Sequence, residues 1–171
     1  MIIKFITKIT FFFIIVLIPL KSFANNKIVY MDIDYVLSNT NIGKKVLQKL
    51  STTENLKNKE FEDKEIKLKD EEKKILATKN IISEDQLNLN IKEFQRTLKD
   101  YRNFKSEEFD KLKKKRKEEI LKVLDIINPI IEEYIKNNSI IIVLDKKNIY
   151  IADTNYDISN ILIELINNKI K

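Results

Sequence analysis

The 171-residue chain has no cysteine, no histidine and a single glycine, Gly43. Each absence closes a class of chemistry. Without cysteine there is no disulfide, no thiol nucleophile and no attachment point for a lipid anchor. Without histidine the Ser-His and Cys-His arrangements are excluded, together with the common zinc sites. One glycine cannot build a phosphate-cradling loop. Carboxylates and lysines on a helical scaffold remain, so no enzyme activity, catalytic residue, cofactor or metal is expected. Asp32, Asp34, Asp145, Asp153 and Asp157 are the densest acidic set of the two ends, and their spacing matches no calcium loop.

Proline is almost as scarce, with Pro19 and Pro129 the two present. The tract Lys44–Asn128 holds neither glycine nor proline, and nearly half its side chains are charged. Residues that break helices are missing there, while Lys, Glu, Leu and Gln abound, so the tract is expected to be helical. At ~1.5 Å per residue it would reach about 125 Å if straight, longer than a compact domain. A reversal is expected near 77–85, where Ser83-Glu84-Asp85-Gln86 reads as a capping box with acidic residues in the first helical turn. The two arms would then lie antiparallel. Their apolar pattern is sparse. Leu47, Phe61, Leu68, Ile75 and Ile82 keep a seven-residue stride broken at Glu54. Leu87, Ile91, Phe94, Leu98 and Tyr101 alternate steps of four and three, and Leu112 rejoins after Lys105 and Glu108. This is a coiled-coil seam with gaps, predicting arms that flex.

The opening segment is a separate matter. Lys4 and Lys8 precede an unbroken apolar run, Phe11–Ile18, and Ser22-Phe23-Ala24 supplies small residues before a cut. Residues 1–24 therefore read as a secretory signal peptide cleaved after Ala24, with an uncleaved N-terminal anchor as the alternative. Loss of Lys4, Lys8 and Lys21 lowers the formal net charge from +6 to +3. With so mild a mean field, the arrangement of charge matters more than its total.

Residues 25–41 and 130–171 are expected to form one small β body with a C-terminal helix, and 42–129 the helical hairpin arm. Ile28–Met31 and Ile140–Leu144 are aliphatic strand candidates. Asp145-Lys146-Lys147-Asn148 reads as a hairpin turn into a returning strand, Ile149–Ala152. Pro129 should kink the stripe Ile120, Leu124, Ile127, Ile131, Tyr134 that docks on the body. Asp157 should cap a last helix. Three short strands and one helix are a very small core for such a lever, so the body is expected to self-associate through Ile28, Tyr30, Ile141, Val143, Ile149 and Ile151.

Ile28 through Leu37, followed by Gly43-Lys44-Lys45, resembles the opening of the Skp/OmpH family of periplasmic chaperones. Ile141–Asp145 through Tyr150, then Asp157-Ile158-Ser159, is similar to that family's closing strands and last helix. The resemblance covers both ends of the chain and extends in between only to a charged hairpin of suitable length. It implies an α+β fold in which a long helical coiled-coil hairpin projects from a small β body that trimerises. It further implies a homotrimeric, ATP-independent holdase in the periplasm, whose arms enclose unfolded outer-membrane proteins.

Candidate client contacts are Ile81, Ile82, Leu87 and Leu89 near the turn, with Phe94, Tyr101 and Phe104 along the second arm. Scattered apolar contacts on flexible arms suit reversible binding of many sequences. The plainer reading is that these side chains zip the arms together, and it weighs most for Leu87, Phe94 and Tyr101 on the seam. Lys111, Lys113, Lys114, Lys115, Arg116 and Lys117 form a basic patch that could attract acidic clients or an anionic lipid surface. Its plainer reading is a solvated helix face. Flanking Glu107, Glu108, Asp110, Glu118 and Glu119, together with export, argue against nucleic acid. A structural coiled-coil adaptor that binds one folded envelope partner is the alternative function.

Overall fold

A computed structural model describes residues 27–170, so the expected signal segment lies outside the described residues. The chain opens with strand β1 (Lys27–Met31) and a short helix α1 (Ile33–Asn39). Two long helices follow, α2 (Asn41–Thr78) and α3 (Glu84–Asn137), then strand β2 (Ile140–Asp145). The last helix is α4 (Ser159–Lys169). This is the expected α+β architecture, long helices on a small β region. At ~1.5 Å per residue, α2 with its 38 residues runs about 57 Å.

Local chemistry fixes the helix ends. The Asp32 side chain accepts the Tyr35 N–H and starts α1. Thr40, fully buried, accepts the Gly43 N–H and starts α2. Gly43 has to be glycine for a steric reason, since a Cβ there would stand 1.8 Å from the Leu37 carbonyl oxygen. The missing side chain lets the first turn of α2 lie against the end of α1. Ser83 accepts the Gln86 N–H, with Glu84 and Asp85 in the first turn of α3. Those carboxylates face the positive end of the helix dipole.

β1 and β2 pair in parallel, Ile28 with Ile142, Val29 with Val143, Tyr30 with Leu144 and Met31 with Asp145. Lys27 pairs with Ile140, so Ile141 is the extra residue of a bulge. The opening and closing segments of the chain therefore meet side by side, and the whole hairpin is the connection between them. Ser139 adopts φ 53° to turn α3 into β2. The core under the sheet gathers Val29, Val36 and Leu37 with Val123, Ile127 and Ile131 of α3 and Ile158, Leu162 and Ile166 at α4.

Two expectations are corrected. Ile149–Ala152 is not a strand, and the sheet has two strands. Lys146–Asn148 forms a 3₁₀ turn in which the Asp145 carboxylate accepts the Lys147 N–H and Lys146 accepts the Ile149 N–H. A tight reversal favours residues with positive φ such as Asn-Gly, and this turn contains no glycine. The chain instead runs on to the far side of β1, where Asp157 bridges Tyr30 and the Ile158 N–H reaches the Tyr30 carbonyl at 2.9 Å. Pro129 lies inside α3, which continues to Asn137. Ile127 and Ile131 on either side are buried and hold the helix to the body across the missing donor. The other correction concerns Asp157, since the N-cap of α4 is Ile158 and the Asp157 carboxylate, one residue earlier, takes the Ser159 N–H at 3.0 Å.

Candidate functional site: the paired arms and the open face of the body

The arms meet along a seam of mixed chemistry. Leu50 and Phe61 of α2 are its buried residues, each 3% exposed. Phe61 packs edge-on against Phe104, with ring centroids 6.1 Å apart, and tilted against Phe109 at 5.2 Å. The positions that look like gaps in the sequence are bridges. Arg116 pairs with Glu54 at 3.1 Å, Lys57 with Glu108 at 2.9 Å and Lys105 with Glu65 at 2.6 Å. The Tyr101 hydroxyl donates to Glu65 at 2.7 Å. Each of these bonds joins one arm to the other.

Their electrostatics follow from that pairing. Lys105 first, and then Tyr101, holds the Glu65 carboxyl below its usual range. Lys111 and then Lys57 do the same for Glu108. Glu60 and Glu108 raise Lys57, and Glu65 raises Lys105. Partial burial, followed by the bond to Glu65, raises the Tyr101 hydroxyl. These groups are largely wet, so the pairs steer the register of the arms more than they stabilise them.

The expected client contacts divide by position. Ile81 at the turn is 80% exposed and Leu89 55% exposed. Ile82, Leu87 and Phe94 are half-buried between the arms. Leu87 and Phe94 also line an open cleft of about 310 Å³ with Ile75, Leu76 and Ile91. Tyr101 and Phe104 sit lower and belong to the cross-arm packing around Phe61. Lys64 stands 4.7 Å from the centre of the Phe104 ring, so this ring faces a cation as well as the partner arm. Sequence reasoning missed Leu50, Leu76 and Phe109. Leu50 could have been found three places after Leu47, at the second seam position of the same heptad.

Two cations of the basic patch are engaged in ion pairs. Arg116 turns into the seam toward Glu54, and Lys111 pairs with Glu108 at 2.7 Å. Lys113, Lys114, Lys115 and Lys117 are exposed. Successive helical residues point about 100° apart, so Lys113, Lys114 and Lys117, at i,i+3 and i,i+4 spacing, share one side of α3 while Lys115 points away from it. Among the acidic residues of the ends, Asp32, Asp145 and Asp153 cap backbone N–H groups, Asp34 pairs with Lys147, and Asp157 pairs with Lys146 and Ser159. Burial alone would raise Asp157, but Lys146 and Ser159 win and its carboxyl lies below the ordinary range.

The body carries the other concentration of uncovered apolar surface. Ile28, Ile141 and Ile151 are exposed, Val143 and Ile149 half-buried, and Tyr30 is buried with its hydroxyl on the Asp153 carbonyl. Ile142 and Leu144, about half exposed, share this surface.

A paired hairpin rising from a parallel β1–β2 body can be compared with known proteins. The profile of the OmpH family, described as "Outer membrane protein (OmpH-like)", matches residues 27–166. The chain belongs to the OmpH family. No curated protein matches it. Among solved structures it is similar to a candidate outer membrane chaperone (OmpH-like) from Caulobacter crescentus CB15, with a TM-score of 0.70 and 18% identity. That match covers 85% of this chain and 86% of the other, and at such identity it speaks for the fold. OmpH membership brings the two ends of the chain and the arm between them under one description.

Proposed function

We propose that this OmpH-family protein is a chaperone of the periplasm, exported by its N-terminal segment. It holds unfolded outer-membrane proteins without ATP in a space bounded by the arms of a homotrimer. It is not an enzyme. The observation that carries the reading is the distribution of apolar surface along the arms. The arms close on Leu50, Phe61 and three cross-arm ion pairs, while Leu56, Ile66 and Leu76 along the first arm, Ile81 at the turn and Leu89 beyond it stand in solvent at 66%, 52%, 64%, 80% and 55% exposure. Isolated aliphatic groups on a charged rod bind an extended chain weakly at many points, and several such rods around one client add avidity. Burying each side chain is worth about 1.5–3 kcal/mol, enough to hold a client and still release it.

Dilution of a denatured outer-membrane β-barrel into the mature protein without nucleotide tests this. Turbidity should stay low at stoichiometric chaperone, and the double variant Ile81→Ser/Leu89→Ser should suppress aggregation less well at unchanged helicity. Turbidity equal to the chaperone-free sample refutes the holdase, and full activity of the double variant refutes its placement near the turn.

A further inference from the structure

The two sides of the hairpin differ in charge. On one side, clefts of about 410 and 310 Å³ share Glu72 and Phe94 and so run together as one groove. It lies between α2 and α3 from Glu65 to Lys79, a length of about 21 Å along the helix. Its floor is apolar, formed by Leu68, Ile75, Leu87, Phe94, Leu98 and Tyr101. All six are half-buried, so the seam takes one part of each side chain and the groove keeps the rest.

The rim of the groove is cationic. Lys69, Lys79, Arg102 and Lys105 line it, against Glu65 and Glu72. Lys105 is already taken by Glu65 at 2.6 Å. Among the described residues Lys69, Lys79 and Arg102 form no ion pair. Across the layer of Leu68 and Tyr101, the cleft on the other side has a volume of about 370 Å³. There Lys64 and Lys67 are balanced by Glu71 and Asp100. Unpaired positive charge beside an open apolar floor belongs to one side only.

We infer that this groove takes an extended, acidic segment of a client chain with apolar residues at alternate positions. A strand rises about 3.3 Å per residue, so about six residues fill the length. Successive side chains point to opposite faces, which puts every second one on the floor and the others at the rim. Carboxylates among the latter meet Lys69 and Arg102 toward one end and Lys79 at the other. Strands that span the membrane in outer-membrane barrels alternate in this way, so the clients proposed above contain such segments. The inference rests on that reading and specifies which client segment an arm holds, where it lies and what sets its charge preference.

Three short fluorescent peptides test it on the mature protein. One alternates leucine with aspartate and serine, the second has lysine in place of aspartate, and the third has the residues of the first in block order. The alternating acidic peptide should bind most tightly. Exposed ion pairs are individually weak, so its lead over the lysine peptide should be about three- to tenfold. Lys69→Gln/Arg102→Gln should abolish that lead, and helicity should be unchanged because both side chains are exposed. Lys64→Gln/Lys67→Gln removes equal charge from the opposite side and should keep it. Placement is read with introduced thiols, since the chain has no cysteine of its own. A peptide carrying one cysteine should form a disulfide with Gln95→Cys at the groove wall, and far less with Asp100→Cys on the other side.

Equal binding of the three peptides, or equal disulfide formation at both positions, overturns the groove. Cross-linking of Gln95→Cys to a second copy of the chain in place of the peptide overturns it too. The holdase is judged separately, by the turbidity of a denatured barrel. Protection by a protein whose groove is unselective removes the groove alone, and peptide capture without protection removes the holdase alone.

Discussion

Phe61→Ala should separate the stability of the arm from that of the body. Phe61 is 3% exposed and is the one aromatic ring buried in the seam, between Phe104 and Phe109. Truncating a buried phenylalanine costs about 3–5 kcal/mol, including the cavity left behind. Phe109 is 47% exposed and Phe104 half-buried, so both can lean into the space, and the low end, about 3 kcal/mol, applies here. The loss should be local. An antiparallel hairpin can open without disturbing the core around Ile127, Leu162 and Ile166, as local unfolding units do. Native-state hydrogen exchange is the assay. Amide protection in the arm on either side of Phe61 should fall by on the order of a hundredfold. Amides of β1, β2 and α4 should keep theirs, and Phe61→Leu should fall in between. Equal loss in arm and body would refute the separation. Unchanged protection in the arm would refute the claim that this ring holds the lower arms together.

Gly43→Ala should lower the melting temperature of the body, because its Cβ would meet the Leu37 carbonyl oxygen at 1.8 Å and push α1 from α2; overpacking of this kind costs about 1–3 kcal/mol, and an unchanged melt would refute the close approach. Glu65 is lowered from its ordinary value of 4.5 by Lys105 of the other arm, and Glu108 by Lys111 of its own helix and then by Lys57 of the other arm. Their contribution is therefore complete above about pH 4.5 and is lost as pH falls through their lower folded values. Melting followed by circular dichroism at pH 7, 4.5 and 3 should show this loss, and Glu65→Gln/Glu108→Gln should flatten the dependence; an equal dependence in both proteins would refute it.

The helical part of the fold was legible because its causes are local. The Lys44–Asn128 tract has no residue that breaks a helix, and an α+β chain with long helices follows from that. The seam was half legible. The seven-residue stride through Phe61 and Leu68 stands in the sequence, but Glu54, Lys105 and Glu108 look like defects until the other arm brings Arg116, Glu65 and Lys57 to them. Partners some 40 to 60 residues away cannot be read from spacing within one helix. Phe104 looked free of the seam for the same reason. At Ile149–Ala152 the side chains favour a strand, but a strand also needs a neighbour, and β1 already takes Asp157 and Ile158 on its far side. Propensity for extended structure is a statement about fit to surroundings, and within this chain the surroundings are missing.

The parallel pairing of Lys27 with Ile140 has a consequence for the order of assembly. The opening strand cannot find its neighbour until more than a hundred further residues have been synthesised. Contacts of such sequence separation are slow, since the chain must close a large loop first. The stalks, built from near neighbours and one turn, gain helical structure early and bring the two distant ends together. Folding thus starts at the tip and finishes at the root, and the last step joins the first residues of the fold to nearly the last.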